Sequence, residues 1–504
     1  MNQFKYERLE NDLEHWFPTE IRYLKWDRFP MEFLPLSSQH NNLIGLHMCH
    51  SNLKQFWLGN KHLKNLKYIN LNHSKNLTNT PNFEEIPNLE RLELEGCTSL
   101  IIIHPSIFAA KNLIFLNLKD CINLTNLPTQ INIKSLQVLI LSGCSKLKNI
   151  PQFSGNTNAL VQLCFDHTSI TEHEQSTCDI MTRLFLCVCR ASMADDSPIG
   201  VPLFATLFSL TKLNLSYCNL KSIPEGIECL VSLTELNLSG NKFSQLPTTI
   251  SQLQNLKRLN LNRCKKLLCI PELPPRILRI LSKDCGSLVS IPEMLKTEQL
   301  YFMTELNLMN CYQLGGNKKL QRLIVSWMQS MLLRNGAFNV MIPGSEIPDW
   351  FTTKMGSSIT VEWDPTAPNS NLIRFALCVV CGGGDGDGGG DVSGSIIASV
   401  AGRSPDEGNL KKGDVIVNGL TISGMRKMDH IWLFVLARTQ LLRRKMKGFR
   451  EIEFRFLLQV NYGGSVSKNI ELKRCGVGFI NMEEEEEAMK RYAACIILKN
   501  KMRM

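Results

Sequence analysis

No long hydrophobic run occurs in this sequence. Its longest apolar stretches, IWLFVLA at 431–437 and LFLCVC at 184–189, fall far short of the roughly 18 residues a membrane-spanning helix needs. The N-terminus, MNQFKYERLENDLEHW, is charged and lacks the apolar core of a secretory signal. The chain is therefore expected in the cytoplasm or nucleus, with no membrane span. No G-x-x-x-x-G-K-[ST] occurs, which removes the phosphate-cradling loop of a nucleotide site from these residues. No H-E-x-x-H occurs either; the ten histidines are scattered, and no Ser or Cys has a credible base beside it in sequence. Neither sign of charge dominates. The 56 basic and 46 acidic residues, formally +10, are interspersed, whereas a phosphate-backbone partner would favour a basic stripe. No catalytic residue, cofactor or metal is assigned, and a nucleic-acid partner is not expected.

What the sequence does have is a fixed leucine period. Anchors fall at Ile21, Leu43, Leu66, Leu89, Leu113, Leu136 and Leu160, and resume after a gap of 50 at Leu210, Leu233, Leu256, Ile277 and Met303. The other steps run from 21 to 26 residues. Each unit reads L-x-x-L-x-L-x-x-C/N-x-x-L-x-x-I/L-P, the leucine-rich-repeat pattern. The fourth and sixth places alternate as a short strand with one face inward, and stacking buries leucines that a single unit cannot bury alone.

Cysteine is abundant, with 18 in the chain, and Cys97, Cys121, Cys144, Cys218, Cys264, Cys285 and Cys311 all take the ninth place of a unit. Asn241, Ser51, Ser74 and Thr168 take the same place in others. Small side chains that satisfy backbone groups inside a turn suit that place, and a thiol tolerates burial. The cysteines therefore read as rungs of a ladder and not as a disulfide or zinc framework.

From about residue 317 the texture changes. QRLIVSWMQSMLL at 321–333 has helical apolar spacing, and FNVMIPGSEIPDWF, SSITVEW, LIRFALCVV, DHIWLFVLA, EIEFRFLLQV and CGVGFIN read as strands of a β-sandwich. GGGDGDGGGD at 382–391 reads as a loop between strands, and EEEEE at 483–487 as a solvated acidic run. Residues 171–205 carry no repeat spacing.

PTEIRYLKWDRFPMEFLP at 18–35, NNLIGLHMCHSNLKQFW at 41–57 and SLTKLNLSYCNLKSIPEGIECLVSLTELNLSGNKF at 209–243 resemble the repeats of plant TIR-type nucleotide-binding leucine-rich-repeat disease resistance proteins. IPGSEIPDWF at 342–351, DHIWLF at 429–434 and KRCGV at 473–477 resemble signature segments of their C-terminal jelly-roll/Ig-like domain, C-JID. The resemblance implies an α/β leucine-rich-repeat solenoid, a horseshoe, followed by a mainly β jelly-roll/Ig-like sandwich. The expected organisation is a lead-in at 1–17, a solenoid at 18–315 with an irregular insert at 171–205, a C-terminal domain at 316–480, and an acidic then basic tail at 481–504. Pro343, Gly344, Ser345, Glu346, Ile347, Pro348 and Trp350 would belong to the domain's defining turn, as structure.

The resemblance also implies recognition of a pathogen effector, or of a host guard protein, by the concave face of the solenoid together with the β domain. The outward places there are the third, fifth and seventh: Tyr68, Asn70 and Asn72; Arg91, Glu93 and Glu95; Phe115, Asn117 and Lys119; Lys212, Asn214 and Ser216; Glu235, Asn237 and Ser239; Arg258, Asn260 and Asn262. Both charge signs, amides and a few aromatics suit a protein partner. The TIR domain, which cleaves NAD in the family, and the nucleotide-binding domain are absent from this chain, so neither NAD hydrolysis nor self-assembly is expected. An alternative expectation is a truncated paralogue acting as a non-catalytic scaffold or decoy, favoured by a start just before the repeats.

Overall fold

A computed structural model of the chain describes residues 17–36, 39–57, 59, 61–128, 130–131, 134–148, 152–153, 158–169, 207–223, 227–291, 303–334, 338–362, 373–383, 393–403, 415–423, 429–435, 451–460 and 470–481. The insert at 171–205, most of the Gly-Asp stretch and the acidic run at 483–487 lie outside the described residues. Two compact units are present, Met1–Cys264 with Pro271–Pro274 and Lys265–Ile270 with Pro275–Met504.

The first unit is a stack of coils. Its strands are Tyr23–Lys25 (β1), Gly45–His47 (β2), Tyr68–Asn70 (β3), Arg91–Glu93 (β4), Phe115–Asn117 (β5), Gln130–Ile131 (β6), Val138–Ile140 (β7), Gln152–Phe153 (β8), Gln162–Cys164 (β9), Lys212–Asn214 (β10), Glu235–Asn237 (β11) and Arg258–Asn260 (β12). All except β6 and β8, which pair with each other, lie parallel in one sheet with apolar residue set on apolar residue. Leu24 faces Leu46, then Ile69, Leu92, Leu116, Leu139, Leu163, Leu213, Leu236 and, in the last pair, Leu259. Every one of these is buried. β9 and β10 pair directly, although their anchors lie 50 residues apart. The far side of several coils turns on short 3-10 segments such as Phe83–Glu85, Pro105–Ala109 and Thr248–Gln252, which bury Phe83, Ile107, Phe108 and Ile250.

Two features hold each coil to the next. The eighth residue of all twelve units has positive φ, between 54° and 76°, from Arg28 through Tyr217 to Asn310. In ten of them the N–H donates to the seventh residue of the following coil, as Arg28 does to Cys49 O and Tyr217 to Ser239 O, both at 2.8 Å. Glycine fills three of these places, and at Gly240 any side chain would enter the Tyr217 ring, with a Cβ 2.3 Å from its Cδ1. The second feature is the ninth-place thiol. Cys97 Sγ donates to Leu71 O, Cys121 to Leu94 O, Cys144 to Leu118 O and Cys264 to Leu238 O, at 3.1–3.3 Å. Each bond reaches back into the preceding coil, as the ladder reading requires. Asn241, at the same place, donates to Leu215 O of the preceding coil and to Leu238 O of its own, while accepting from the N–H groups of Cys218 and Leu220.

In the second unit, Arg279–Leu281 (β13) and Glu305–Asn307 (β14) continue the repeat pattern as a parallel pair. The helix Lys318–Arg334 (α1) follows, and its buried Trp327 packs edge-on against Phe338 with ring centroids 4.6 Å apart. Nine further strands build the β domain: Phe338–Pro343 (β15), Thr352–Met355 (β16), Ser358–Glu362 (β17), Ile373–Gly383 (β18), Ser393–Arg403 (β19), Val415–Ser423 (β20), His430–Val435 (β21), Glu451–Val460 (β22) and Ile470–Asn481 (β23). β15 is a hinge of topology: it lies parallel to β14, with Leu306 opposite Val340, and antiparallel to β21. One sheet therefore runs from the last repeat strands through β15, β21, β18 and β23 to β16. The other sheet is ordered β17, β22, β19, β20. Leu377, Val379, Trp432 and Phe434 of the first sheet share one buried cluster with Ile359, Ile396, Val400, Phe454 and Phe456 of the second, which is a sandwich core. Of these strands β16, β19 and β20 carry the weakest sequence signal: the first is four exposed residues, the second is SGSIIASVAGR, and the third is broken by an Asn-Gly pair.

Candidate protein-binding face

The third-place side chains stand on the outer face of the strands and differ along the sheet. Tyr23, Tyr68 and Arg91 are exposed and Phe115 is half-buried. The Tyr23 ring covers Gly45, whose missing Cβ would sit 2.7 Å from Tyr23 Cδ1. The Arg91 guanidinium lies 3.5 Å from the centroid of the Phe115 ring, a solvent-exposed cation–π stack, while its Nε reaches Glu93. Tyr68 OH donates to Glu90 at 3.0 Å, and Lys67 pairs with the same carboxylate at 2.7 Å. Those two donors hold the Glu90 carboxyl below its usual range, the lysine bond foremost. The later strands carry charge instead: Glu235 sits between Lys212 at 3.9 Å and Arg258 at 3.5 Å. Such exposed ion pairs contribute little to stability, so these side chains are open to exchange their partner for another.

The fifth place does something different from the surface role expected of it. Asn70, Asn117, Asn214, Asn237 and Asn260 each turn Oδ1 onto the N–H two residues along, at 3.0–3.2 Å. These amides close the strand-to-turn step, because that N–H has lost its ladder partner. Asn117 is buried, as are Ser216 and Ser239, so these three leave the set of outward candidates. At the seventh place Asn72 and Lys119 remain half-buried. Asn72 Oδ1 accepts from Glu95 N–H, and Lys119 Nζ meets Glu95 at 2.7 Å. That lysine bond is the largest influence holding the Glu95 carboxyl low. Asn262 is also half-buried, and its N–H is the one held by Asn260.

Further ring contacts lie at places that the search for outward strand residues did not single out. Trp26 is exposed and meets the buried Phe29 edge-on. His50 stacks on His73 at 4.9 Å and His167 on Tyr217 at 4.5 Å, all four at the positive-φ eighth place. The signal was present: Gly, Asp, Asn and His recur at the eighth place of most units, residue types that accept that conformation. The pocket lined by Trp57, Lys61, Thr80, Pro81, Asn82 and Glu85, among others, holds about 150 Å³, below the roughly 300–1,000 Å³ of small-molecule sites.

In the C-terminal domain several residues of 343–350 bond to neighbouring segments. Pro343 ends β15 opposite His430, and Gly344, at φ 135°, donates its N–H to Asp429 O. Ser345 O accepts from Arg474 at 2.7 Å. Glu346 is exposed, Ile347 and Pro348 are half-buried, and Pro348 O accepts from Phe351 N–H. Trp350 lies over Gly478, where a Cβ would stand 2.2 Å from its Cζ3. Within the second unit, His430 Nε2 accepts from Asn310 N–H at 2.9 Å, tying the last repeat turn to β21.

Residues 209–248 match the family of leucine-rich repeats in two copies, and residues 342–486 match the C-JID domain. The chain is 50% identical over 92 residues to disease resistance protein RPV1 of Vitis rotundifolia, covering 18% of this chain and 7% of that one. It is 29% identical over 451 residues to disease resistance protein RPP2B of Arabidopsis thaliana, covering 72% and 37%. It is 32% identical over 366 residues to disease resistance protein RML1B of the same species, covering 72% and 31%. The chain thus spans about a third of the length of these two Arabidopsis thaliana relatives. Among the described residues no helix is long and apolar enough to cross a membrane.

Proposed function

The chain is a relative of the TIR-type plant disease resistance proteins through its leucine-rich repeats and C-JID domain, and on that premise we propose that it recognises a pathogen effector protein in plant immunity. The observation that supports this most is the outer strand row Tyr23, Tyr68, Arg91 and Phe115, with Arg91 stacked on the Phe115 ring. Tyrosine and arginine dominate the hot spots of protein interfaces, and here they are fixed by neighbours before any partner arrives, which lowers the entropy cost of binding. The charged row from Lys212 to Arg258 supplies orientation, and the β domain a second contact surface. The chain binds and does not catalyse, and it acts in the cytoplasm or nucleus.

The test is binding of the whole chain to candidate effector proteins, with Arg91→Glu and Arg258→Glu combined. Reversing two charges on the strand face should weaken a true partner by about tenfold or more, since truncating a hot spot alone costs roughly 2 kcal/mol. Unchanged affinity would remove the strand face from recognition.

A further inference from the structure

In six coils an asparagine at the fifth place holds the N–H two residues along, at 3.0–3.2 Å. The coil of β2 departs from this rule. His47 stands in the asparagine's place, and the N–H of Cys49 is held by Asp27 Oδ1 from the preceding coil, at 3.1 Å. The exchange gathers an imidazole, a carboxylate and a thiol. His47 Nε2 lies 3.3 Å from Asp27 Oδ1 and 3.6 Å from Cys49 Sγ, and the three donor atoms all fall within 4.8 Å of one another. Among the described residues this is the one group of three His, Cys, Asp or Glu side chains so placed.

Nitrogen, oxygen and sulfur of these kinds are the donors of zinc sites. A tetrahedral ion bonded at about 2.0–2.1 Å to N and O and about 2.3 Å to S keeps N and O about 3.4 Å apart and N and S about 3.6 Å apart. The edges seen here agree with both. One thiolate and one carboxylate also balance a divalent charge around a neutral imidazole. Access is open, since the side chains of His47 and Asp27 are 40% and 45% exposed, in contrast to the sealed ladder thiols. The Cys49 Sγ proton now points to Asn70 Oδ1 at 3.2 Å, and an incoming ion would displace it to solvent.

We propose that Asp27, His47 and Cys49 form a binding site for a borderline divalent transition ion of the zinc type, with three protein ligands and a fourth position open to water. The site uses the repeat's strand-to-turn step, where one coil's carboxylate reaches the next coil's imidazole and thiol, and it does not depend on the recognition reading above.

Cobalt(II) is the probe, titrated into the whole reduced chain after chelator treatment. The expected result is one equivalent bound, with the visible bands of a tetrahedral centre, a near-ultraviolet thiolate-to-metal band, and displacement by zinc. Cys49→Ser should abolish the thiolate band, and His47→Ala should weaken both ions by about tenfold or more. Asp27→Asn, which still accepts from the Cys49 N–H, should weaken them with the fold intact by circular dichroism. Cys164→Ser, at another half-buried thiol outside the group, should leave the titration unchanged. Absence of a thiolate band in the unsubstituted chain, or its survival in Cys49→Ser, would overturn the site.

Discussion

The coils and the C-terminal β domain are held by bonds of different range. In the coils, side-chain bonds reach one coil back: Cys97 to Leu71, Cys264 to Leu238 and Lys119 to Glu95 span 24–26 residues. In the β domain, Trp432 Nε1 donates to Asn339 across 93 residues and Arg474 reaches Ser345 across 129. A stack in which each unit touches its neighbours has a stability close to a sum of local terms. A sandwich closed by distant pairings gains nothing until its remote strands meet, and so fails as a whole. Damage should therefore stay local in the coils and spread in the β domain.

The largest expected effect is in the sandwich. Trp432→Ala removes the fully buried ring stacked 4.4 Å from Phe434 and should cost about 3–5 kcal/mol. Hydrogen exchange should show β18, β21 and β23 losing protection together while β3 to β5 keep theirs; simultaneous loss in both sets would break the comparison. Next comes Gly240→Val, which combines φ 70° with a Cβ 2.3 Å from the Tyr217 ring. Strain of roughly 1–3 kcal/mol should appear in denaturant unfolding, with lost exchange protection confined to the coils around β10 to β12. Smaller still, Cys264→Ala deletes one bond to Leu238 O and should cost about 1–2 kcal/mol.

The ladder thiols also set a pH response. Burial pushes Cys97 and Cys144 up to about 12 and Cys218 to about 11, from an ordinary 9.0. A folded value above the unfolded one means the neutral thiol favours the fold fully below pH 9, and that contribution is lost as pH rises through 11 and 12. Urea midpoints should fall over that window, and Cys218→Ser should fall less; an equal decline would assign the effect to other groups. The smallest effect on the fold is at the outer row: Tyr68→Ala should leave the melting temperature unchanged while weakening a partner, and a large loss of stability would make Tyr68 a structural residue instead.

The same difference in range governs what could be read from the residues alone. Leu66, Ile69 and Leu71 announce a coil because their spacing recurs one coil later, and Cys264 is legible as a rung because six other cysteines hold its place. Asn70 was legible as a recurrent polar residue, yet whether its amide faces a partner or its own backbone depends on the path of the turn after the strand. Asn117, Ser216 and Ser239 passed for surface for the same reason. In the β domain the strands rich in Val, Ile and Phe were visible, whereas SGSIIASVAGR becomes a central strand only because β22 and β20 flank it.

By itself the sequence determined the repeat period, the inward leucines, the cysteine ladder and the kinship of the two halves to resistance proteins, since each is written in a spacing that recurs coil after coil or in contiguous signature segments. Only the tertiary structure decided that β15 joins the last repeat strand to the sandwich and that Arg91 lies on Phe115. The meeting of Asp27 with His47 and Cys49 was likewise decided in three dimensions. These are contacts between residues that no local pattern links, made by the stacking of one coil on the next and by the closure of distant strands.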